Sequence, residues 1–440
     1  MSDVTARAAP SSRTYAYYVM AILTLTNALS IADRTVMSLL LEPIKADLGA
    51  SDTSMSLLTG AAFVLFYSLF GIPIARWADR GNRRSILAMG VGLWSIATGL
   101  CGVAGNFVTM ALARAGVGVG ESTSTPTSMS LIADYFERKT RPKMIAIFNM
   151  AQPFSAVLIT PIIGVIADQY GWRAAFYFLA IPGVLIAILV QFTVREPVRG
   201  ATDEKPVTVG LDTTTVGDAL RAMWRSKPFM LILLGTAITG LGTGTLQAWG
   251  PALMVRAFGL SMTELGAIQA PVTAIGGILG GIGGGFLTGW IATKRKSERW
   301  NVLLPAMAAC VTIPSAFLYA WAPSWQWMIL GGFGGALTNA FRLAPYLALS
   351  MELVPANFRG MVAAATLIAT NVVGQAGGPL VVGLISDSLA PTLGPVLALR
   401  WAMTFAPFII AIGVIPFFMS LRCFDANGVK PAYQANALPS

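Results

Sequence analysis

Long apolar segments recur along the whole chain and restrict the folds that it can adopt. A helix needs about 20 mostly apolar residues to cross a hydrocarbon layer of ~30 Å, and twelve such segments can be counted. Each is apolar throughout, whereas the strands of a membrane barrel alternate apolar and polar residues. Only 11% of the residues are charged, against roughly a quarter in soluble domains. The sequence therefore predicts an all-α membrane protein. The predicted spans are residues 15–41, 53–77, 84–104, 107–134, 140–168, 172–194, 228–256, 264–292, 300–321, 325–352, 359–389 and 396–421.

The basic residues are distributed unevenly between the two sides of the predicted membrane. The chain has 30 Lys and Arg residues, and short cytoplasmic loops collect such residues. With a cytoplasmic N-terminus, all but seven lie in the cytoplasm, which predicts cytoplasmic termini and a multi-pass plasma membrane protein. The lack of any N-x-S/T glycosylation acceptor favours a bacterial inner membrane. The net charge of +10 then reflects orientation and attraction to the bilayer, and no nucleic-acid partner is needed. The exceptions are Lys45, Arg173, Arg256 and Arg400 outside, and Arg34, Arg114 and Arg342 within spans.

The residue types argue against enzymatic chemistry. Histidine is absent, which removes the commonest general base and metal ligand. The three cysteines, Cys101, Cys310 and Cys423, lie far apart in the sequence, so they suggest no metal site or disulfide framework. No phosphate-binding G-x-x-x-x-G-K-[ST] motif occurs. We therefore expect no catalytic residue, metal or cofactor.

A polar stretch divides the spans into six and six, and the two halves resemble each other. GVIAD at 164–168 is echoed by GLISD at 383–387, and a second echo aligns Arg141 with Arg359. Chance similarity between Gly- and Ala-rich helices is the alternative explanation. Two related six-helix halves are typical of carriers that work by alternating access. The predicted parts are an N-terminal tail (1–14), a first bundle (15–194), a cytoplasmic linker (195–227), a second bundle (228–422) and a C-terminal tail (423–440).

Short motifs identify a family. ARWADRGNRR at 75–84 resembles the major facilitator superfamily signature G-x-x-x-D-R-x-G-R-R, although Ala75 replaces a glycine and Gly81 comes one residue early. RAGVGVG at 114–120 resembles that superfamily's fourth-helix pattern. IADR in the first span and GVGEST in the fourth look like the spinster family, which includes proton-linked transporters of sphingolipids and lysophospholipids. The resemblance implies the major facilitator superfamily fold, with twelve transmembrane helices in two pseudo-symmetric six-helix bundles, and we expect a functional monomer.

Two acids lie deep in the predicted spans. A charge at the bilayer centre costs about 2.5–3.5 kcal/mol on insertion scales, so it normally faces a water-filled cavity or a partner. The resemblance implies that the first and fourth helices, which carry Asp33 and Glu121, face a central cavity. Burial raises the pKa of a carboxyl group and a neighbouring Arg lowers it, so a carboxylate whose surroundings change can take up or release protons. We predict that Asp33 and Glu121 couple transport to protons. The alternative is a permanent Asp33–Arg114 or Glu121–Arg34 bridge that only orients helices.

The deep charges sum to three positive and two negative, and this excess favours an anionic substrate. Arg suits bidentate contacts with phosphate or carboxylate oxygens. For Arg342, the alternative is a side chain that extends toward the membrane interface near Glu352. The predicted substrate-binding residues are Arg34, Arg114, Arg342, Asn27, Asn339, Gln247 and Trp249.

Charged residues in the cytoplasmic loops form a further group. We predict that they make a gate that joins the halves when the cavity faces outward. A third echo, of GIPIARWADR at 71–80 by GFLTGWIATK at 285–294, places Thr293 at the position of Asp79, so the gate should be asymmetric. For Arg83 and Arg84, the alternative is a role in membrane orientation only. The predicted gate residues are Asp79, Arg80, Arg83, Arg84, Arg138, Arg141 and Arg359.

Together these features predict a proton-coupled secondary transporter of an amphipathic anionic lipid, such as a sphingolipid or lysophospholipid. A multidrug or small organic-anion carrier on the same scaffold is the main alternative. A membrane enzyme or receptor is the third, and the missing histidine, nucleophile motif and soluble domain argue against it.

Overall fold

The computed structural model describes residues 12–199, 216–297, 299–354, 358–425 and 428–429, and nearly all of them are helical. The first eleven helices are α1 (Arg13–Leu39), α2 (Leu41–Leu48), α3 (Asp52–Ser56), α4 (Ala62–Arg80), α5 (Arg83–Val103), α6 (Phe107–Glu121), α7 (Ser124–Tyr135), α8 (Arg141–Asn149), α9 (Ala151–Phe154), α10 (Thr160–Tyr170) and α11 (Trp172–Thr193). The other helices are α12 (Val216–Arg225), α13 (Lys227–Phe258), α14 (Met262–Arg295), α15 (Trp300–Trp321), α16 (Trp325–Glu352), α17 (Arg359–Ile368), α18 (Gly378–Met403) and α19 (Phe405–Ser420).

Wider helical turns join some of these helices. Three π-helical segments, Leu57–Ala61, Ser155–Ile159 and Ala369–Gly377, continue α3 into α4, α9 into α10 and α17 into α18. A 3₁₀ turn, Leu421–Cys423, leads to a two-residue antiparallel ladder of β1 (Phe424–Asp425) and β2 (Gly428–Val429). The all-α membrane fold predicted from the sequence is confirmed.

Nine helical stretches within the described residues are long and apolar enough to cross a membrane. They include α1, α5, α11, α13, α14 and α15, and one stretch of 52 residues, Val372–Cys423, that contains the last predicted span and the C-terminal part of the span before it. The predicted span 107–134 is divided into α6 and α7 at Ser122 and Thr123. Gly394 interrupts α18 because its backbone (φ 76°, ψ 166°) is not helical, in a region that glycine tolerates.

The chain forms two compact units. Unit 1 takes its described residues from Met1–Met37 and Leu65–Asp212, and unit 2 from Ser38–Val64 and Thr213–Ser440. The polypeptide therefore enters unit 2 near the end of α1 and returns to unit 1 within α4.

Glycines bring two helices of unit 2 into backbone contact. A Cβ atom at Gly280 would collide with the carbonyl group of Leu337, and one at Gly284 with that of Phe341. The second glycine row of α14, Gly277, Gly281, Gly285 and Gly289, has open space beside it. The small-xxx-small spacing predicts such close contact, and only one of the two rows makes it. It fixes α14 against α16, the helix that carries Arg342.

Candidate functional site

Three helices of unit 1 bring the predicted proton-coupling residues together. α1 supplies Asp33 and Arg34, α5 supplies Thr98, and α6 supplies Arg114 and Glu121. Asp33 and Arg114 are 2% and 1% exposed, and Glu121 is fully buried. We call this set, together with Ser30, the unit 1 charge cluster.

Glu121 is the centre of the cluster. Its Oε2 accepts hydrogen bonds of 2.8 Å from Ser30 Oγ and from Arg34 Nε. Its Oε1 is buried and has no hydrogen-bond partner among the described residues. Buried carboxylate oxygens are normally satisfied, so this atom can accept a proton without breaking an existing hydrogen bond.

Arg34 connects the buried acid with a more open surface. Its side chain is 33% exposed, whereas that of Glu121 is 0% exposed. Its Cζ lies 4.8 Å from the ring centroid of Tyr67, within range of a cation–π contact. The ion pair between Arg34 and Glu121 therefore joins a fully buried acid to a partly exposed base.

Asp33 contacts a different set of groups. Its Oδ1 accepts a 3.0 Å hydrogen bond from Thr98 Oγ1, and its main-chain oxygen accepts a 3.2 Å bond from Arg114 Nη1. Of the two bridges considered from the sequence, the one between Arg34 and Glu121 is present. Arg114 contacts the backbone of Asp33, so it holds α6 against α1.

Arg342 occupies a different environment in unit 2. Nη2 donates a 2.7 Å hydrogen bond to Asn339 Oδ1, and Nη1 donates a 2.5 Å bond to Thr239 Oγ1. The side chain is 7% exposed, and it forms no ion pair with a described residue. These bonds direct the guanidinium toward Asn339, one turn before it, rather than toward Glu352. The Tyr346 hydroxyl, one turn further along α16, is buried and has no hydrogen-bond partner in the described part of the chain.

The other predicted substrate residues are dispersed. Asn27 Nδ2 donates a 3.2 Å hydrogen bond to the carbonyl of Phe148 in unit 1. Gln247 is exposed. Trp249 is fully buried, and its Nε1 donates to the carbonyl of Pro379 at 3.1 Å. Their roles in substrate binding remain predictions.

The predicted gate residues lie at helix ends and loops of unit 1, except Arg359. Asp79, Arg80 and Arg138 are exposed, and the side chain of Arg359 lies outside the described residues. Arg141 Nε donates to the carbonyl of Phe136 at 3.1 Å. The gate itself remains a prediction.

Arg83 and Arg84 have partners within unit 1. Buried Arg83 pairs with Asp134 and also donates from Nε to Glu196 at 2.7 Å. The main-chain N–H of Arg84 donates to Glu196 at 2.9 Å. These contacts link the start of α5 to the end of α7 and to the chain after α11, so they anchor these segments to one another.

A second ionic cluster, in unit 2, was not recognised from the sequence. Arg256 donates from Nη1 and Nη2 to the two oxygens of Asp52, at 2.9 and 2.6 Å, and from Nε to Glu42 at 2.8 Å. Lys45 also pairs with Asp52. Asp387 accepts the main-chain N–H groups of Asp52 and Thr53 at 2.9 and 2.8 Å. The only sequence signal is that Lys45 and Arg256 are two of the few basic residues on the predicted outer side.

Comparisons with known proteins agree with this architecture. Residues 23–379 match the sequence model of the Major Facilitator Superfamily. The chain is 29% identical over 380 residues, 86% of each protein, to an MFS-type efflux pump of Mycolicibacterium smegmatis. It is 27% identical over 448 residues to the sphingosine-1-phosphate transporter SPNS2 of Danio rerio, with 95% of this chain and 86% of that protein covered.

A solved structure resembles the whole chain. It is the crystal structure of a bacterial homolog to the human lysosomal transporter Spinster, in an inward-facing and unoccupied conformation. The TM-score is 0.80 at 28% sequence identity, and the match covers 96% of this chain and 100% of the other. The resemblance to spinster-type transporters inferred from short motifs is confirmed.

Proposed function

This chain belongs to the Major Facilitator Superfamily, and on that premise we propose that it is a proton-coupled transporter that moves an amphipathic anionic lipid by alternating access. The proposed substrate is a sphingolipid or a lysophospholipid. The protein is a multi-pass membrane transporter with spinster relatives. The proposal has four further parts. Transport is coupled to protons, the substrate is a lipid, both termini are cytoplasmic, and the protein works as a monomer.

The observation that supports proton coupling most directly is the state of Glu121. It is fully buried, one of its oxygens has no hydrogen-bond partner among the described residues, and its ionic partner Arg34 is partly exposed. A carboxylate in this setting is stable while Arg34 faces it and becomes costly when that partner moves away. Protonation removes that cost, so a change in the distance between Arg34 and Glu121 would change the proton occupancy.

Proton and substrate binding are linked through Arg34. Protonation of Glu121 removes the negative charge that faces Arg34 Nε, which favours an anionic headgroup there. Linkage is reciprocal, so an anion bound at Arg34 in turn favours protonation of Glu121. The same two residues can therefore sense both the proton and the cargo.

The proposed anion preference also draws on Arg342. Its guanidinium is buried among neutral oxygen atoms of Asn339 and Thr239, and a buried charge is costly unless it is compensated. A phosphate or carboxylate headgroup would supply that compensation. One relative adds support, because SPNS2 of Danio rerio is a sphingosine-1-phosphate transporter, and sphingosine-1-phosphate is an amphipathic anion.

The test is flux of candidate lipids in proteoliposomes, measured with and without an imposed pH gradient. We expect the gradient to change lysophospholipid or sphingosine-1-phosphate flux in the wild type. In Glu121→Gln, which keeps the shape and removes the charge, flux should no longer respond to the gradient. Glu137→Gln is the matched control, because Glu137 is exposed in a loop, and it should behave like the wild type. An unchanged gradient response in Glu121→Gln would refute the proton role.

A multidrug or small organic-anion carrier is the second candidate. Its support is the 29% identity to an MFS-type efflux pump. Competition for binding separates the two, because a lysolipid carrier should bind lysolipid in the presence of excess hydrophobic cation. Displacement of the lysolipid by the cation would favour the multidrug function.

A further inference from the structure

A short amphipathic helix directly precedes a membrane span. α12 (Val216–Arg225) is separated from α13 by Ser226 alone. The backbone of Ser226 (φ −81°, ψ 86°) leaves the helical region, so α12 does not continue along the axis of α13. Since α13 is long and apolar enough to cross a membrane, a one-residue connection keeps α12 at the membrane surface.

One side of α12 is attached to the protein. Met223 is buried in a hydrophobic cluster with Phe229, Leu353 and Phe358. Ser226 Oγ donates a 3.2 Å hydrogen bond to the carbonyl of Leu353. These contacts fix the rotation of α12 about its own axis and therefore determine which residues point away from the protein.

The exposed side of α12 combines apolar and basic residues. Trp224 is 71% exposed, and Leu220, one turn earlier, is also exposed. Arg221 and Arg225, again one turn apart, are exposed beside them. Trp prefers the interface between headgroups and hydrocarbon, and basic residues next to an apolar stripe are typical of helices that bind anionic membrane surfaces.

We propose that this face of α12 docks on the headgroups of anionic phospholipids in the adjacent leaflet. Trp224 and Leu220 enter the headgroup region, while Arg221 and Arg225 bind phosphates. Anionic lipid fits because Arg221 and Arg225 outnumber the one acid described in α12, the half-buried Asp218, and because the tether of the helix already holds it at a bilayer. This surface lies outside the charge cluster and Arg342, so the inference does not depend on the proposed substrate.

The test uses the full chain with its three cysteines replaced by alanine and a nitroxide label at Leu220→Cys. The protein is reconstituted in phosphatidylcholine, with and without phosphatidylglycerol, and the accessibility of the label to oxygen and to a water-soluble nickel chelate is measured. We expect oxygen to reach the label more readily than the chelate does. This difference should be larger when phosphatidylglycerol is present. Native mass spectrometry gives a second measurement. The unlabelled wild type is mixed with both lipids, and the spectra show how strongly it retains phosphatidylglycerol in preference to phosphatidylcholine.

Charge variants provide the controls. The double variant Arg221→Glu with Arg225→Glu should remove the effect of phosphatidylglycerol on the label. It should also lower the preference for retained phosphatidylglycerol by roughly an order of magnitude. The double variant Arg221→Lys with Arg225→Lys should keep the label effect and the lipid preference. Lys294→Glu with Arg295→Glu changes the net charge equally at another exposed site and should not alter the label. The proposal is overturned if the chelate reaches the label freely in both membranes, or if the label is immobile and insensitive to lipid, as expected for a protein partner.

Discussion

The unit 1 charge cluster and the Arg342 site use similar helices in different ways. In unit 1, Arg34 faces the carboxylate of Glu121. In unit 2, Arg342 faces the amide of Asn339 and the hydroxyl of Thr239. The offset that aligns Arg141 with Arg359 also pairs Glu121 with Asn339, so the acid of one half corresponds to a neutral amide in the other.

This difference suggests a division of labour between the halves. A carboxylate can change its charge with pH, whereas an amide cannot. We therefore expect the first half to respond to protons and the second to provide a constant positive charge for an anion. Two variants at the Arg342 site test that division, and a third, at the predicted gate, tests another difference between the halves, in order of decreasing expected effect.

Removal of the Arg342 charge should have the largest effect. Arg342→Gln should lower flux of an anionic lipid at least about tenfold, because loss of one partner from a buried charge pair costs roughly 2–5 kcal/mol. Thermal stability should not fall, since the variant also removes a buried charge without an ionic partner among the described residues. Flux and melting temperature are measured together, with Arg299→Gln as the control at a loop position. Normal lipid flux in Arg342→Gln would exclude a substrate role.

A substitution that makes the Arg342 site resemble the unit 1 charge cluster should have an intermediate effect on lipid binding. Asn339→Asp places a carboxylate beside Arg342, where it competes with the substrate anion, and we expect affinity for anionic lipid to fall about tenfold. The loss should lessen as pH falls, because protonation of the new carboxyl group restores a neutral partner. Asn339→Gln is the neutral control. Binding assays across pH measure this, and an unchanged affinity for lipid in Asn339→Asp contradicts the assignment.

A substitution in the predicted gate should have the smallest effect of the three. Asp79 has Thr293 as its counterpart in the repeat, so Asp79→Asn should remove an interaction that the second half cannot replace. We expect a shift of roughly twofold to fivefold toward the inward-open population, as for loss of an exposed ion pair worth up to about 1 kcal/mol. Spin-label distances across the predicted cytoplasmic loops measure it. The control Asp47→Asn, at an exposed position, should show no shift. Distance distributions in Asp79→Asn identical to those of the wild type would argue against the gate.

Much of the fold and part of the site follow from the sequence. Continuous apolarity gives the helices, because a membrane leaves no other way to satisfy the backbone. Asp33, Arg34, Arg114 and Glu121 stand out because charges are rare in such segments, and the structure brings them together.

Other features depend on contacts that are distant in sequence. Arg256 and Asp52 are 204 residues apart, and both lie at span ends, where charged residues are unremarkable. Trp249 is among the predicted substrate-binding residues, but α13 is largely apolar on all sides, so periodicity cannot show which face is buried. Its indole lies beneath Arg256, with 5.5 Å from the guanidinium carbon to the ring centroid.

The glycine row of α14 has a mechanical consequence for Arg342. Backbones that touch without intervening side chains cannot slide past each other in small steps. We therefore expect α14 and α16 to move as one rigid unit. Phe341, whose carbonyl faces Gly284, immediately precedes Arg342. A single added methyl group at Gly284 would therefore displace the guanidinium from its depth in the bilayer, and an uncharged substitution would alter how the protein handles charged cargo.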